Sequence, residues 1–106
     1  MKPEKMIMIL GDWIADRDTF AKAESHLIDT EKKHQIYHTL SIINLVDVLD
    51  TLPLFDYRQQ LDLALFLLSQ CDTVYMLKSW EHNNDVRMLH EYACACNYQI
   101  IYSKKF

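Results

Sequence analysis

Glycine is almost absent from this sequence: Gly11 is the only one among 106 residues. There is no G-x-G-x-x-G and no Walker-type loop, so a dinucleotide fingerprint and a phosphate-loop NTPase are both unsupported. Cysteine is scarce and odd in number, with Cys71, Cys94 and Cys96 in no disulfide-framework or zinc-knuckle spacing. Cys94 and Cys96 stand two apart on a predicted helix and point to nearly opposite sides, so they do not grip a metal together. They read as small core residues. His34 and His38 stand four apart, but in a segment that reads as turn and strand, so no metal site is expected. No basic stripe is present: the formal net charge is -4, and Glu31-Lys32-Lys33-His34 and Lys104-Lys105 read as solvated surface. A nucleic-acid partner is therefore not expected. Long apolar runs are missing as well. Residues 6–10 (MIMIL) are only five, too short for a signal-peptide core or a membrane span, so the expected location is cytoplasmic with no membrane partner.

What the chain does have is an ordinary globular balance, half apolar and a quarter charged, and enough length for one domain and one modest core over 1–106. Residues 6–10 read as a first buried strand that ends at Gly11. Glycine at that place permits positive φ, admits a ligand close to the backbone, or simply makes a tight strand-to-helix turn. Asp16 or Asp18 caps a helix running to about Ile28, with Phe20, Ala23, Leu27 and Ile28 on one face. A polar stretch follows over 30–35, then a second strand around 40–45. The segment 46–55 is too apolar for an ordinary loop, yet Pro53 denies it a regular helix, so it must pack on the core, a ligand or another copy of the chain. Residues 57–70 form the next helix, apolar nearly all round, which suggests a second buried face at an oligomer interface.

The stretch 71–102 reads as strand, polar turn, helix, strand. Residues 73–77 (TVYML) are apolar without alternation, as in a strand buried on both faces. Residues 78–84 are a polar turn carrying Trp80, 85–96 are helical, and 99–102 are a last strand. The order β-α-β-α-β-α-β predicts a three-layer α/β domain: a mostly parallel four-stranded sheet, right-handed crossovers, and helices on both faces, Rossmann- or flavodoxin-like. Ligands of such sheets bind at the carboxyl ends of strands, where Trp80 and Glu81 lie.

These residues resemble the nucleoside 2-deoxyribosyltransferase-like superfamily, most closely a short uncharacterised branch of it found in phages and bacteria. The resemblance is carried by Gly11; by Phe20, Ala23 and Leu27; by Asn44; by Asp62-Leu63, Leu67-Leu68 and Cys71-Asp72; by Val74, Leu77 and Trp80-Glu81; and by His90-Glu91 with Ala95. It implies a pocket at the strand ends for a nucleoside or nucleotide, and, in active members, N-glycosidic cleavage by a glutamate nucleophile on the third helix, without a metal or other cofactor. Counted from Trp80 or back from the last strand, that glutamate position holds Leu89. Glu91 is two places on, about 200° around the helix at ~100° per residue. Asn97 replaces the family's usual glycine, and Asp12 replaces a proline.

The candidate ligand-binding residues are therefore Gly11, Asp12 and Trp13 after the first strand, Asn44 after the second, Asp62 on its helix, and Trp80, Glu81 and Asn84 after the third strand. Glu91 is the candidate catalytic residue. The expected function is nucleoside or nucleotide binding without efficient catalysis. The alternatives are an N-ribosyl hydrolase or transferase using Glu91, and an oligomeric interaction protein with a relic pocket. A homo-oligomer is expected in any case.

Overall fold

The two apolar runs become the two central strands of the sheet. In the computed structural model, which describes residues 4–34 and 39–106, β1 (Glu4–Leu10), β2 (Thr39–Ile43), β3 (Thr73–Met76) and β4 (Gln99–Tyr102) pair in the order β2-β1-β3-β4, all parallel. Ile7 faces Thr73 and Leu10 faces Met76 across the central pair. Ile7, Met8, Ile9, Val74 and Met76 are fully buried, as central parallel strands covered on both faces must be. His38 lies outside the described residues.

The helices are α1 (Arg17–His34), α2 (Leu45–Asp50), α3 (Tyr57–Ser69) and α4 (Asn84–Ala95), with a single 3₁₀ turn at Trp80–His82. The crossover from β1 to β2 runs one way along the sheet, and those from β2 to β3 and β3 to β4 run the other way. Right-handed crossovers therefore set α1 on one face and α3 and α4 on the other, where α3 and α4 pack together.

Local differences from expectation have local causes. Helix α1 continues through His34 instead of stopping near Ile28, because Thr30 returns its hydroxyl to the His26 carbonyl (2.8 Å) and Glu31 pairs with the buried Lys5 of β1 (3.3 Å). Segment 46–55 is partly helical: Asn44 caps α2 by accepting from the Asp47 N–H, and Pro53 stands beyond the helix end, where its missing N–H costs nothing. Cys94 and Cys96 are exposed, and of the three cysteines only Cys71 is buried. The inward stripe of α4 is Val86, Leu89 and Ala93, and neither cysteine falls on it. Helix α4 closes with a Schellman motif, in which the Tyr98 N–H bonds the Ala93 carbonyl and the Asn97 N–H bonds the Cys94 carbonyl. Asn97 takes the left-handed conformation, φ 60°, that glycine usually supplies there. Among the described residues, no helix is long and apolar enough to cross a membrane.

Gly11 does not adopt a positive φ. Its role is close approach: the Leu77 N–H bonds the Leu10 carbonyl (2.8 Å), and a Cβ at position 11 would lie 2.5 Å from Leu77 Cδ1 and 3.0 Å from its Cβ. Leu77 is fully buried and has no free space to retreat into. We expect Gly11→Ala to lower stability by about 1–3 kcal/mol, the usual cost of overpacking, measured by urea unfolding. In a Leu77→Ala background the same substitution should cost much less, since contacting sites are coupled; equal costs in both backgrounds would refute the steric account.

Candidate functional site

The sheet has its topological switch point between β1 and β3, and the loops that leave these strands diverge at their carboxyl ends. The short polar side chains of the two loops tie them together. Asp12 Oδ1 accepts from the N–H groups of Ile14 (3.0 Å) and Ala15 (2.9 Å), folding the first loop back on itself, and Oδ2 accepts from Asn83 Nδ2 (3.1 Å). The Ala15 N–H, aided by Asn83 and Ile14 and opposed by burial, holds the Asp12 carboxyl below the usual carboxylate range. Asn83 also caps α4, its Oδ1 accepting from the Asp85 (2.9 Å) and Val86 (3.0 Å) N–H groups. Ser79 donates its hydroxyl to Asp16 Oδ2, a second stitch between the loops.

Helix α3 supplies the next wall. Asp56 and Gln59 form a capping box, and the first turn that follows presents Tyr57 and Gln60. The Trp13 indole stacks on Tyr57 with centroids 5.7 Å apart, and its Nε1–H donates to Gln60 Oε1 (3.0 Å). Gln60 in turn donates to the Phe55 carbonyl (3.2 Å), and the Tyr57 hydroxyl donates to Asp85 Oδ2 (2.6 Å). Beside this crevice lies a hollow of about 190 Å³. It is lined by the apolar Trp13, Ile14, Leu49, Leu52 and Pro53 and by the polar Gln60 and the Arg17–Asp50 ion pair. The apolar segment 46–55 therefore packs in part around a concavity.

A second hollow, of about 510 Å³, lies on the β4 side and is lined by Trp80, Glu81, Arg87, His90, Glu91 and Cys94. The Trp80 ring sits 4.1 Å from His90 and 6.1 Å from Tyr102 by centroid.

The expected site residues are thus divided between two places. Asp12 and Trp13 meet at the switch point, while Trp80, Glu81 and Glu91 meet at the β4 side. Trp80, a candidate ligand-binding residue at the end of the third strand, turns to His90 and Tyr102, which offer it aromatic faces. Gly11 lies beneath Leu77. Asn44 is buried, capping α2 and donating to Glu24 (3.1 Å), so its amide is already used. Asp62 was expected to reach the crevice; its side chain is 68% exposed and pairs with Arg58 one turn back. Asn84 is exposed at the first turn of α4, 3.4 Å from Arg87. Leu89 is fully buried in the core, and Glu91 is on the exposed side of the helix.

Sequence reasoning passed over Tyr57, Gln60 and Asn83. The D-x-x-Q box at Asp56 and the polar residue ahead of α4 were available signals that these side chains stand at helix starts on the ligand edge of the sheet. Among the described residues, no cluster of His, Cys, Asp and Glu is arranged to hold a metal ion.

A family model described as a domain of unknown function (DUF4406) matches residues 8–102, from within β1 to the last residue of β4. Neither a curated protein nor a solved structure matches the chain.

Burial first, and then the hydrogen bond and charge of Asp85, push the Tyr57 phenol up to about 12 from 10.0. The folded state holds this proton more tightly than the unfolded chain does. Its contribution to stability is therefore present in full below about pH 10 and fades as pH rises toward about 12. Asp85→Asn should move the Tyr57 titration down toward the ordinary value, read by NMR of ring-labelled tyrosine; an unchanged midpoint would disprove the pairing.

Proposed function

The chain belongs to the DUF4406 family, and we propose that it is a nucleoside- or nucleotide-binding protein without efficient catalysis, with Trp13 as the wall for the base. The observation that carries this reading is the hollow beside the switch point, lined by apolar and aromatic side chains together with hydrogen-bonding ones. Such a mix of groups is found in small-molecule sites, at the place where open parallel sheets take their ligands, and the volume of about 190 Å³ suits a single base with the sugar left outside. A planar base gains from aromatic and aliphatic contact and needs polar groups at its edge. Trp13, Leu49, Leu52 and Pro53 supply the first, and Gln60 with the Arg17–Asp50 pair the second. Asp12 and Asp85, each oriented by hydrogen bonds from its neighbours, are acceptors suited to sugar hydroxyls. Three carboxylates, Asp12, Asp16 and Asp85, stand against one arginine that is already paired. This suits a nucleoside or a monophosphate better than a triphosphate, which needs a cluster of cations.

Cleavage of an N-glycosidic bond through a covalent intermediate needs a carboxylate within reach of the sugar. The position at which the resemblance places that group is Leu89, sealed in the core, and Glu91 opens on the other hollow. This arrangement supports the reading of binding without turnover.

The chain also presents apolar side chains to solvent on α3 and the loop before it: Phe66 is 61% exposed and Leu54 94%. We propose that a second copy of the chain covers this surface, since monomeric proteins seldom leave large side chains of one helix face bare.

The sequence holds two tryptophans, so in a Trp80→Phe protein all indole emission comes from Trp13. A panel of nucleosides and mononucleotides should quench that emission saturably. No quenching at millimolar ligand would remove the reading. Chromatography of the same mixtures with wild-type protein should show no free base above the uncatalysed background. Steady base release that disappears in Glu91→Ala would instead make the chain a hydrolase or transferase acting through Glu91. Light scattering should report an oligomer for wild type and a smaller species for Phe66→Ser; a monomeric wild type would end the assembly proposal.

A further inference from the structure

The hollow on the β4 side takes no part in the nucleoside site proposed at the switch point, yet it gathers reactive chemistry. Cys94 is exposed there, one helical turn beyond His90, with Sγ 3.7 Å from Nε2 and 4.0 Å from Nδ1 of that ring. Tyr102, at the end of β4, places its hydroxyl 2.8 Å from His90 Nε2. The imidazole is further held between the rings of Trp80 and Tyr102. A thiol, an imidazole and a group that orients the imidazole are the parts of an activated sulfur nucleophile.

We propose that Cys94 is the reactive thiol of this chain, that His90 is its proton acceptor, and that the surrounding hollow takes a small disulfide bearing both carboxylate and ammonium groups. In the tautomer whose Nε2–H donates to the Tyr102 oxygen, Nδ1, 4.0 Å from the sulfur, is the nitrogen left to take the thiol proton as the side chains close up. Tyr102 thus acts as a positioning residue. The thiolate of Cys94 then attacks one sulfur of the disulfide, and a new S–S bond forms as the reagent's own S–S bond breaks. The departing thiolate takes the proton back from His90. Cys94 is oxidised to a mixed disulfide, and half of the reagent is reduced to a free thiol.

The ligand class follows from charge. Lining the hollow with the sulfur are Arg87, His90 and Glu91 of α4 and Glu81 of the 3₁₀ turn, and Tyr102 of β4 reaches it through His90. Among the described residues, Arg87 has no carboxylate partner and neither Glu81 nor Glu91 has a cationic one. An amino-acid-derived disulfide meets all three charges, its carboxylate on Arg87 and its ammonium on the glutamates. The hollow, about 510 Å³, is within the range of small-molecule sites.

The other two cysteines serve as internal references. Cys71 is buried, and burial, helped by the neighbouring Asp72 charge, pushes its thiol up to about 11. Cys96 is exposed like Cys94, but its neighbour is the Tyr92 hydroxyl rather than an imidazole.

The test is competitive modification of the full chain near neutral pH, with each cysteine followed by mass-spectrometric peptide mapping. With iodoacetamide, Cys94 should react roughly tenfold faster than Cys96, because only Cys94 has an imidazole beside it to take the thiol proton as the sulfur attacks. His90→Gln should bring Cys94 down to the rate of Cys96 and flatten its pH profile, while the rate of Cys96 stays unchanged and circular dichroism shows the fold retained. With glutathione disulfide the preference for Cys94 should widen further, and Arg87→Ala should remove that extra margin without altering the iodoacetamide ratio. Equal rates at Cys94 and Cys96, or a preference that survives His90→Gln, would overturn the thiol assignment. A disulfide preference no wider than that of iodoacetamide would overturn the ligand class.

Discussion

The close approach of Leu77 to Gly11 is the constraint from which the carboxyl edge of this sheet is built. The carboxyl ends of β1 and β3 are drawn together by the bond from the Leu77 N–H to the Leu10 carbonyl, and Leu77 fills the space that a side chain at position 11 would need. With the strand ends so near, the loops that leave them stand within side-chain reach of each other. Short polar residues can then stitch them, Asp12 to Asn83 and Asp16 to Ser79. Were the strands separated by even the thickness of a methyl group, these bonds would lengthen. The capping of α4 would loosen with them, because the Asn83 amide serves both purposes.

Helix α4 shows how one short element can be divided among three duties. At about 100° per residue its circumference offers distinct stripes. Val86, Leu89 and Ala93 turn inward and are fully buried. Asp85, at the first turn, reaches Tyr57 at the switch point. Arg87, His90, Glu91 and Cys94 form the outer stripe that lines the β4-side hollow. Leu89 therefore belongs to the core, where a charge without a partner would cost several kcal/mol.

The two tryptophans divide the edge in a similar way. Trp13 is nearly buried and satisfies its N–H on Gln60, so its ring is a fixed wall. Trp80 leans on His90 and Tyr102 and closes the opposite side. Each indole is positioned by a partner of its own, and the stitched loops separate them. Buried polar groups follow the same economy: among the described residues, every buried side-chain nitrogen and oxygen has a hydrogen-bond partner, the condition for a polar edge to remain rigid.

The sequence by itself determined the fold class, because that depends on local pattern. Unbroken apolar runs become buried parallel strands, amphipathic stretches become their crossover helices, and the handedness of the crossovers leaves few arrangements. The last strand, 99–102, and the helix after the polar turn are legible in the same way. Tertiary structure alone decided which polar and aromatic side chains share a space. Trp80 stands in a ligand-edge turn by position, but its direction depends on where His90 and Tyr102 lie, and these are ten or more residues away in sequence. Asp62 fits a pocket acid as well as a surface acid until the rotation of α3 places it beside Arg58. Gly11 reads as a turn or a ligand contact until Leu77, distant in the chain, is seen to occupy its missing side chain. Cys94 and Cys96 read as core because cysteine usually is, yet a helix buries only one stripe, and its direction is set by the packing of α4 against α3 and the sheet. Periodicity is a property of neighbours in sequence, whereas a site is a property of neighbours in space.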